Sequence, residues 1–447
     1  MPYLGNTPTT QSFISGTDYF NGTGSQTAFT LTRTVASVND IQAVVNNVVQ
    51  VPNDAYTLSG TTITFTSAPS AGTQNVYVRY LSTTTQAITP SQGTVSWNTL
   101  DSNIQQDLGL MYKNKIINGN MVISQRNGTS SVTPTTFAYT LDRWYADMTQ
   151  ASKFSVQQDA GAVTPPVGFI DYLGVTSLAA TTVGAGDFYT IGQVIEGFNI
   201  SDLGWGTVNA KTVTISFWVR SSLTGTFGGV INNSGGSRAY PFTYTINSAN
   251  TWEYETITIA GDQSGTWLTN NGAGIELKFS LGVGSTYAGT AGAWGSTNRF
   301  GATGQVNMIA TNGATFYLTG VQLEVGTQAT TFTTAGGSYG AELALCQRYF
   351  QTYTQPPLRG VINTTSSLGR AAMVLPVVMR AVPTVVAGAL PVFDGTAVST
   401  TSSIAAYYAT GSQVEFDFAL ASAVMTIGRP GVVYQFGSAS LTLSAEL

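Results

Sequence analysis

The sequence predicts a mainly β, multidomain protein, and three observations carry that prediction. Runs of β-branched and aromatic residues recur along most of the 447 residues, separated by turn clusters in a chain with 49 glycines. Hydrophobic residues make up 43% and charged residues only 9%, enough for real cores and unlike the low-hydrophobicity, high-charge pattern of disorder. No fixed-period repeat is visible, which disfavours a β-helix or a propeller and leaves antiparallel sheets packed in pairs.

Residues 1–82 read as a small β domain. FTLT at Phe29, VNDIQAVVNNVVQ from Val38, AYTLSGTTITFT from Ala55 and NVYVRYLS from Asn75 are strand-like, with turns at Asn21-Gly22, Val51 to Asp54 and Ser70 to Gly72. In the last run Val76, Val78 and Tyr80 share one face, opposite Tyr77, Arg79 and Leu81. Residues 83–113 change character. Thr83 to Thr94 is polar and reads as a linker; then Trp97, Leu100, Ile104 and Met111 occupy a and d sites of a heptad, with Leu108 at the edge and Asp107 at one d site. Two heptads are too short to stand alone, so this helix either lies on its own domain or forms a short collar between subunits.

Residues 114–339 form the largest unit, an antiparallel β-sandwich by pattern. Val213, Ile215, Phe217 and Val219 alternate with Thr214, Ser216, Trp218 and Arg220; Ile275, Leu277, Phe279 and Leu281 alternate with Glu276, Lys278 and Ser280. Val321, Leu323 and Val325 stand against Gln322 and Glu324 in the same way, so each sheet is expected to bury one face and show polar groups on the other. In residues 340–447, AELALCQRYFQTY from Ala341 looks like a short helix. The runs AAMVLPVVM, TVVAG, SQVEFDFAL, VVYQFG and SLTLSAEL continue as strands of a small C-terminal β domain.

Composition also excludes functions. There is no histidine, the usual general base and commonest metal ligand, and the single Cys346 sits in an apolar run where it reads as a buried small hydrophobe. Motifs for a phosphate loop, an HExxH zinc site, a CxxC pair or an EF-hand are absent, and an enzyme is not expected. No cofactor is implied, although a structural Ca²⁺ held by carbonyls and scattered Asp would leave no motif. The net charge of −5 and the 17 dispersed Lys and Arg argue against a nucleic-acid partner. The start MPYLGNTPTT lacks a secretory signal pattern, and the stretch from Ala371 to Phe393 is broken by Pro376, Arg380, Pro383 and Pro391, so neither ordinary export nor membrane insertion is expected.

Several strings, taken together and in order, resemble a known family. FTLTRTVASVNDIQAVVNNVVQ and its continuation to Leu81 are similar to the anchoring domain of short-tailed, podovirus-like bacteriophage tail fibres, and GTVSWNTLDSNIQQDL sits where those fibres start a helical stem. NKIINGNMVISQRNG followed by LDRWYAD resembles the opening of the receptor-binding region of such proteins. FYLTGVQLEVGTQATTF and ELALCQRYF resemble the closing strand of its jelly-roll, carbohydrate-binding-module-like domain and the entry to a fibre tip. The resemblance reaches to about Phe350. It implies a homotrimer in the virion, assembled in the host cytoplasm. Its N-terminal anchor would dock on tail nozzle or adaptor proteins, residues 83–113 would form a trimeric coiled-coil collar, and the distal domains would adhere to host surface polysaccharide. The rival readings are a polysaccharide-degrading tailspike and a purely structural spacer.

Sugar recognition calls for flat aromatic faces framed by hydrogen-bonding groups. Trp267 with Asn270 and Asn271, and Tyr287 with Trp294, Asn298 and Arg299, lie in Gly- and Asn-rich connections and are the candidate ligand-binding residues, with buried loop anchors as the competing reading. Trp144, Trp218 and Trp252 lie in strand-like runs and read as packing. Glu253 and Glu255 share one strand face, which is a solvated surface and not an acid and base across a bond. Asp18, Asp54, Asp142 and Asp187 adjoin turns, where Asp is common for local backbone reasons. Arg359, Arg370, Arg380 and Arg429 either meet acidic glycans or keep the last domain soluble.

Overall fold

The computed structural model describes residues 16–81, 113–354, 356, 358–362, 367–433 and 440–447. The chain divides into two compact units, Met1–Leu100 and Asp101–Leu447. The regular structure of the described residues is mainly antiparallel β-sheet, with a single α-helix among them. The collar positions Trp97, Leu100, Ile104, Leu108 and Met111 lie outside the described residues. No helix among those described is long and apolar enough to cross a membrane.

The first unit holds β1 (Thr17–Gly22), β2 (Ala28–Thr30), β3 (Ile41–Val45), β4 (Val48–Val49), β5 (Tyr56–Ser59), β6 (Thr62–Phe65) and β7 (Gly72–Tyr80). They form a four-stranded sheet, β1-β7-β3-β4, and a three-stranded one, β2-β6-β5. Their inner faces share one core in which Tyr56, Ile63, Val76 and Val78 are fully buried. The β3–β4 turn places Asn46 and Asn47 at φ 50° and 62°, the left-handed geometry that a tight hairpin demands and asparagine tolerates.

The second unit begins with a sandwich. Its strands are β8 (Ala138–Leu141), β9 (Trp144–Met148), β10 (Phe154–Gln158), β11 (Leu173–Ser177), β12 (Phe188–Glu196), β13 (Val213–Ser221), β14 (Gly225–Asn233), β15 (Ala239–Ile246), β16 (Glu253–Ile259), β17 (Ala273–Val283), β18 (Ala288–Gly289), β19 (Gly301–Ala302) and β20 (Thr315–Val325). One sheet runs β10-β11-β20-β13-β16, the other β15-β14-β17-β12-β9-β8, and β18 pairs with β19. Alternation puts Val213, Ile215, Phe217 and Val219 of the first sheet and Ile275, Leu277, Phe279 and Leu281 of the second into the same core, all fully buried. Burying that much aliphatic and aromatic surface, at roughly 25 cal/mol per Å², is the main force holding the sheets together.

The polar faces differ from the expectation of exposure. Gln322 and Glu324 on β20 are buried, because residues 113–116 and 327–333 run over that face and satisfy them. Gln322 Nε2 donates to Glu324 Oε1 at 2.8 Å, the Thr330 amide donates to Glu324, and Lys113 Nζ lies 3.3 Å from it. Val325, expected on the apolar face, is 43% exposed at the strand end.

After the sandwich come helix α1 (Tyr339–Gln347), β21 (Phe350–Thr354), β22 (Arg359–Ile362), β23 (Leu368–Val374), β24 (Thr384–Ala387), β25 (Pro391–Phe393), β26 (Val398–Ala409), β27 (Gln413–Leu420), β28 (Pro430–Val433) and β29 (Ser440–Ser444). Six of these close a barrel in the order β22-β23-β27-β26-β25-β28, and β21-β29-β24 form a small sheet beside it. Ser338 caps α1 by accepting from the Ala341 amide, and Cys346 is a free, fully buried thiol on that helix.

Two polar junctions join the sandwich to the ends of the small sheet beside the barrel. Glu446 bridges the buried Arg143 and Arg126, and Arg348 grips Glu196 in a bidentate pair at 3.0 and 2.7 Å with the Tyr349 hydroxyl adding a third bond at 2.6 Å.

Candidate binding cleft

On the outer face of the six-stranded sheet lies a cleft of about 210 Å³. Its floor comes from adjacent strands in register: Tyr145 on β9 stands opposite Gly192 on β12, and Gly192 opposite Lys278 on β17. Gly192 is required there. A Cβ would fall 2.4 Å from the Leu277 carbonyl oxygen and 2.7 Å from the Tyr145 hydroxyl, so the missing side chain lets the tyrosine lie across the middle strand. Asp147, Val194 and Glu276 complete the floor, while Phe137, Asn298, Phe300 and Leu447 form walls.

The walls are braced by aromatic packing. Phe300 stacks on Phe188 at 3.9 Å, with Tyr287 edge-on to both, and Lys278 Nζ sits 4.4 Å from the Phe300 ring centre. Phe137 is 47% exposed and packs on Tyr145 at 4.9 Å, presenting an apolar surface at the rim. Lys278 Nζ lies 2.5 Å from Glu276 Oε2.

Unused hydrogen-bonding capacity lies in the floor at Tyr145 and beside it in the same sheet at Thr190 and Asn232. The hydroxyls of Tyr145 and Thr190 and the carbonyl oxygen of the Asn232 side chain are buried without a partner. Thr190 and Asn232 alternate onto the same outer face, Thr190 directly opposite Asp147 and Asn232 opposite Glu276. Burial, then the nearby Glu276, Tyr139 and Asp147, push the Tyr145 hydroxyl well above the ordinary tyrosine range, so it stays protonated. Burial likewise raises the Asp147 carboxyl, with Lys278 pulling it back down.

Of the residues singled out from the sequence, Asn298 alone lines this cleft; its Oδ1 accepts from Asn232 Nδ2 at 3.0 Å. Tyr287 stands behind the Phe300 wall, and Arg299 pins the wall's loop through bonds of 2.9 Å to the Thr286 and Ala288 carbonyls. Trp267 is buried, its indole N–H shared between Ser264 and Asp262, and it packs edge-on with Trp205 and Trp294 in a separate aromatic cluster. Trp294 is half-buried and donates to the Ala260 carbonyl. These two tryptophans therefore anchor loops. Asn270 caps its own turn through the Gly272 amide, and the Asn271 carbonyl accepts from Arg380 at 2.5 Å.

Tyr145, Asp147, Glu276, Lys278, Phe137 and Phe300 were not singled out from the sequence. The signal for most of them was present in the alternation: Tyr145 and Asp147 oppose Trp144 and Ala146, as Glu276 and Lys278 oppose Leu277. Only the strand order, which sets β9, β12 and β17 side by side, turns those outward residues into one site.

Elsewhere, Glu253 closes a turn, accepting from the Asn247 and Ser248 amides at 3.0 and 2.7 Å; Glu255 is raised by its own burial and by Glu253 beside it. Asp142 is buried at the β8–β9 turn and accepts from the Gln125 amide and side chain. Arg370 pairs with Asp417 at 2.8 Å and stacks on Tyr407. Among the described residues no cluster of three or more Asp, Glu or Cys side chains is placed to hold a metal ion.

No protein-family model matches the chain, and no curated protein matches it. Among solved structures, the enzymatically active domain of bacteriophage CBA120 tailspike protein 4 aligns with 48% of this chain and 22% of its own, at 13% identity and a TM-score of 0.27. TmCBM61, solved with beta-1,4-galactotriose, aligns with 48% of this chain and 99% of its own at 10% identity and 0.24. The family 11 carbohydrate-binding module of the Clostridium thermocellum cellulase Lic26A-Cel5E aligns with 45% and 99% at 12% identity and 0.23. The chain thus spans about a fifth of the tailspike's length, and the three likenesses, all at low score, are likenesses of β architecture only.

Proposed function

We propose that this protein is a bacteriophage tail fibre protein that binds host surface polysaccharide through the outer cleft of its six-stranded sheet, without cleaving it. The cleft carries the reading: an exposed phenylalanine stands at the rim of a floor that holds the unpartnered Tyr145 hydroxyl and a charged pair. A sugar ring has one apolar face for an aromatic side chain and a girdle of hydroxyls for polar ones, which is the complement of that surface. The arrangement of the acids supports adhesion without hydrolysis. Asp147 and Glu276 stand on one sheet face with Glu276 held on Lys278, whereas a glycosidase sets an acid and a base on opposite sides of the scissile bond.

The ordered resemblance along the chain supports the rest: a homotrimer in the virion, the first unit docked on tail nozzle or adaptor proteins, a jelly-roll sandwich and a C-terminal tip. In a trimer, weak sugar contacts would gain strength through effective concentration.

The test uses the full chain with host cells and their extracted polysaccharide, assaying reducing ends in the same tubes. Saturable binding without new reducing ends is expected, and Phe137→Ala weakens it about tenfold. New reducing ends would establish the hydrolase instead, and absence of binding to any host preparation would leave a structural spacer.

A further inference from the structure

The charges in the cleft do not balance. Lys278 and Glu276 neutralise each other at 2.5 Å, but Asp147, half-buried on the same floor, forms no ion pair among the described residues. A carboxylate held partly out of water is costly when the nearby cation, Lys278, is already paired with Glu276, and so are buried hydroxyls without partners. Asp147 has two such hydroxyls as neighbours on its own face: Tyr145, two residues earlier on β9, and Thr190, directly across on β12. Each hydroxyl oxygen can accept a hydrogen bond.

One kind of group would answer all three. An ammonium brings a positive charge and three N–H donors, and the exposed aromatic ring of Phe137 on the wall favours a cation further. A carboxylated ligand would instead meet Asp147 as a like charge. Size narrows the ligand as well, because about 210 Å³ lies below the roughly 300–1,000 Å³ typical of pockets for larger ligands. The cleft therefore encloses about one ring, with any further rings lying outside it.

We propose that the cleft takes a single terminal sugar residue bearing a free amino group, with its ammonium on Asp147 beside the Tyr145 hydroxyl. This rests on the saccharide-binding reading of the same cleft and names the sugar class. Binding of glucosamine, N-acetylglucosamine, glucose and glucuronate to the full chain at pH 7, followed by NMR titration, tests it. Glucosamine is expected to bind about tenfold more tightly than glucose, and acetylation of the amine to abolish that gain. A glucosamine tetramer should bind no more tightly, per chain end, than the monomer. Asp147→Asn should bring the glucosamine-to-glucose ratio to about one, while Lys278→Met, which frees Glu276, should raise it. Equal binding of glucosamine and glucose, a preference for glucuronate, or an amine preference that survives Asp147→Asn would each overturn the inference while leaving the saccharide reading in place. If no sugar bound, both would fall.

Discussion

Gly192 is the residue on which the cleft floor depends most directly. Its neighbours leave no room for a methyl group: the nearest atom is a backbone oxygen in the adjacent strand, which cannot swing aside as a side-chain end can. Gly192→Ala should destabilise the second unit by about 1–3 kcal/mol and displace Tyr145. Urea unfolding monitored by tryptophan fluorescence, together with a saccharide titration, reads both effects; full stability with unchanged binding would show that the strands can part at no cost. Nothing in the sequence marks this glycine among 49. A pattern reading sees it as one small residue within a strand, and its role appears only when Tyr145 and Lys278 are known to flank it. The loop tryptophans show the opposite failure. Trp267 and Trp294 looked available because glycine and asparagine surround them, yet both pack edge-on against Trp205, Trp267 buried and Trp294 half-buried.

The segment Asn114 to Gly128 has little regular structure and acts through side chains. Asn118 accepts from the Ile123 amide and donates to the Ile123 and Asp142 carbonyls; the Trp144 indole donates to the Asn118 carbonyl, and Glu342 on α1 accepts from the Asn118 amide. The strings NKIINGN and LDRWYAD are therefore two halves of one joint. Asp142 makes that joint sensitive to pH. Burial raises its carboxyl to about 6, against the pull of its bonds from Gln125. A carboxyl that holds its proton more tightly folded than unfolded stabilises the fold at low pH. That contribution is lost as pH rises from about 4 through 6, a span worth about 3 kcal/mol. Between pH 4 and pH 7 the wild-type chain should lose about that much unfolding free energy relative to Asp142→Asn, measured by urea titration at each pH. A gap that does not change with pH would remove the assignment. At this scale the strands were largely legible, because alternation in β7, β13 and β17 directly reports which side chains enter a core. The burial of Gln322 and Glu324 was not, since it depends on distant segments crossing the outer face of β20.

Across the second unit, the sandwich and the small sheet beside the barrel share ion pairs that neither completes alone. Arg143 is fully buried at the β8–β9 turn, and its partner Glu446 lies 303 residues later in the chain, just beyond β29. Removing one member of a buried pair leaves the other charge stranded, at a cost of about 3–5 kcal/mol. Glu446→Ala should therefore lower the unfolding midpoint of the sandwich as well as that of the barrel. Tryptophan fluorescence separates the two, because no tryptophan occurs after Trp294. A midpoint unmoved by this probe would mean that the sandwich holds without its neighbour. From the sequence, a domain boundary is expected here, at the loop TTAGGSYG and the helix after it, within what is one compact unit, Asp101–Leu447. The sequence could not announce the coupling across it, which rests on pairing charges far apart in the chain.

Cys346 gives the coupling a reporter already in place. Its thiol is fully buried on α1, and burial, followed by the nearby Asp142 and Glu342, holds it in the protonated, unreactive form. An alkylating reagent can reach it only when α1 lifts from the Asn114–Gly128 segment and the strands beneath. The chain has no second cysteine to confuse the signal, so its slow modification under native conditions is a clock for the parting of these layers, readable by intact mass without any engineered label.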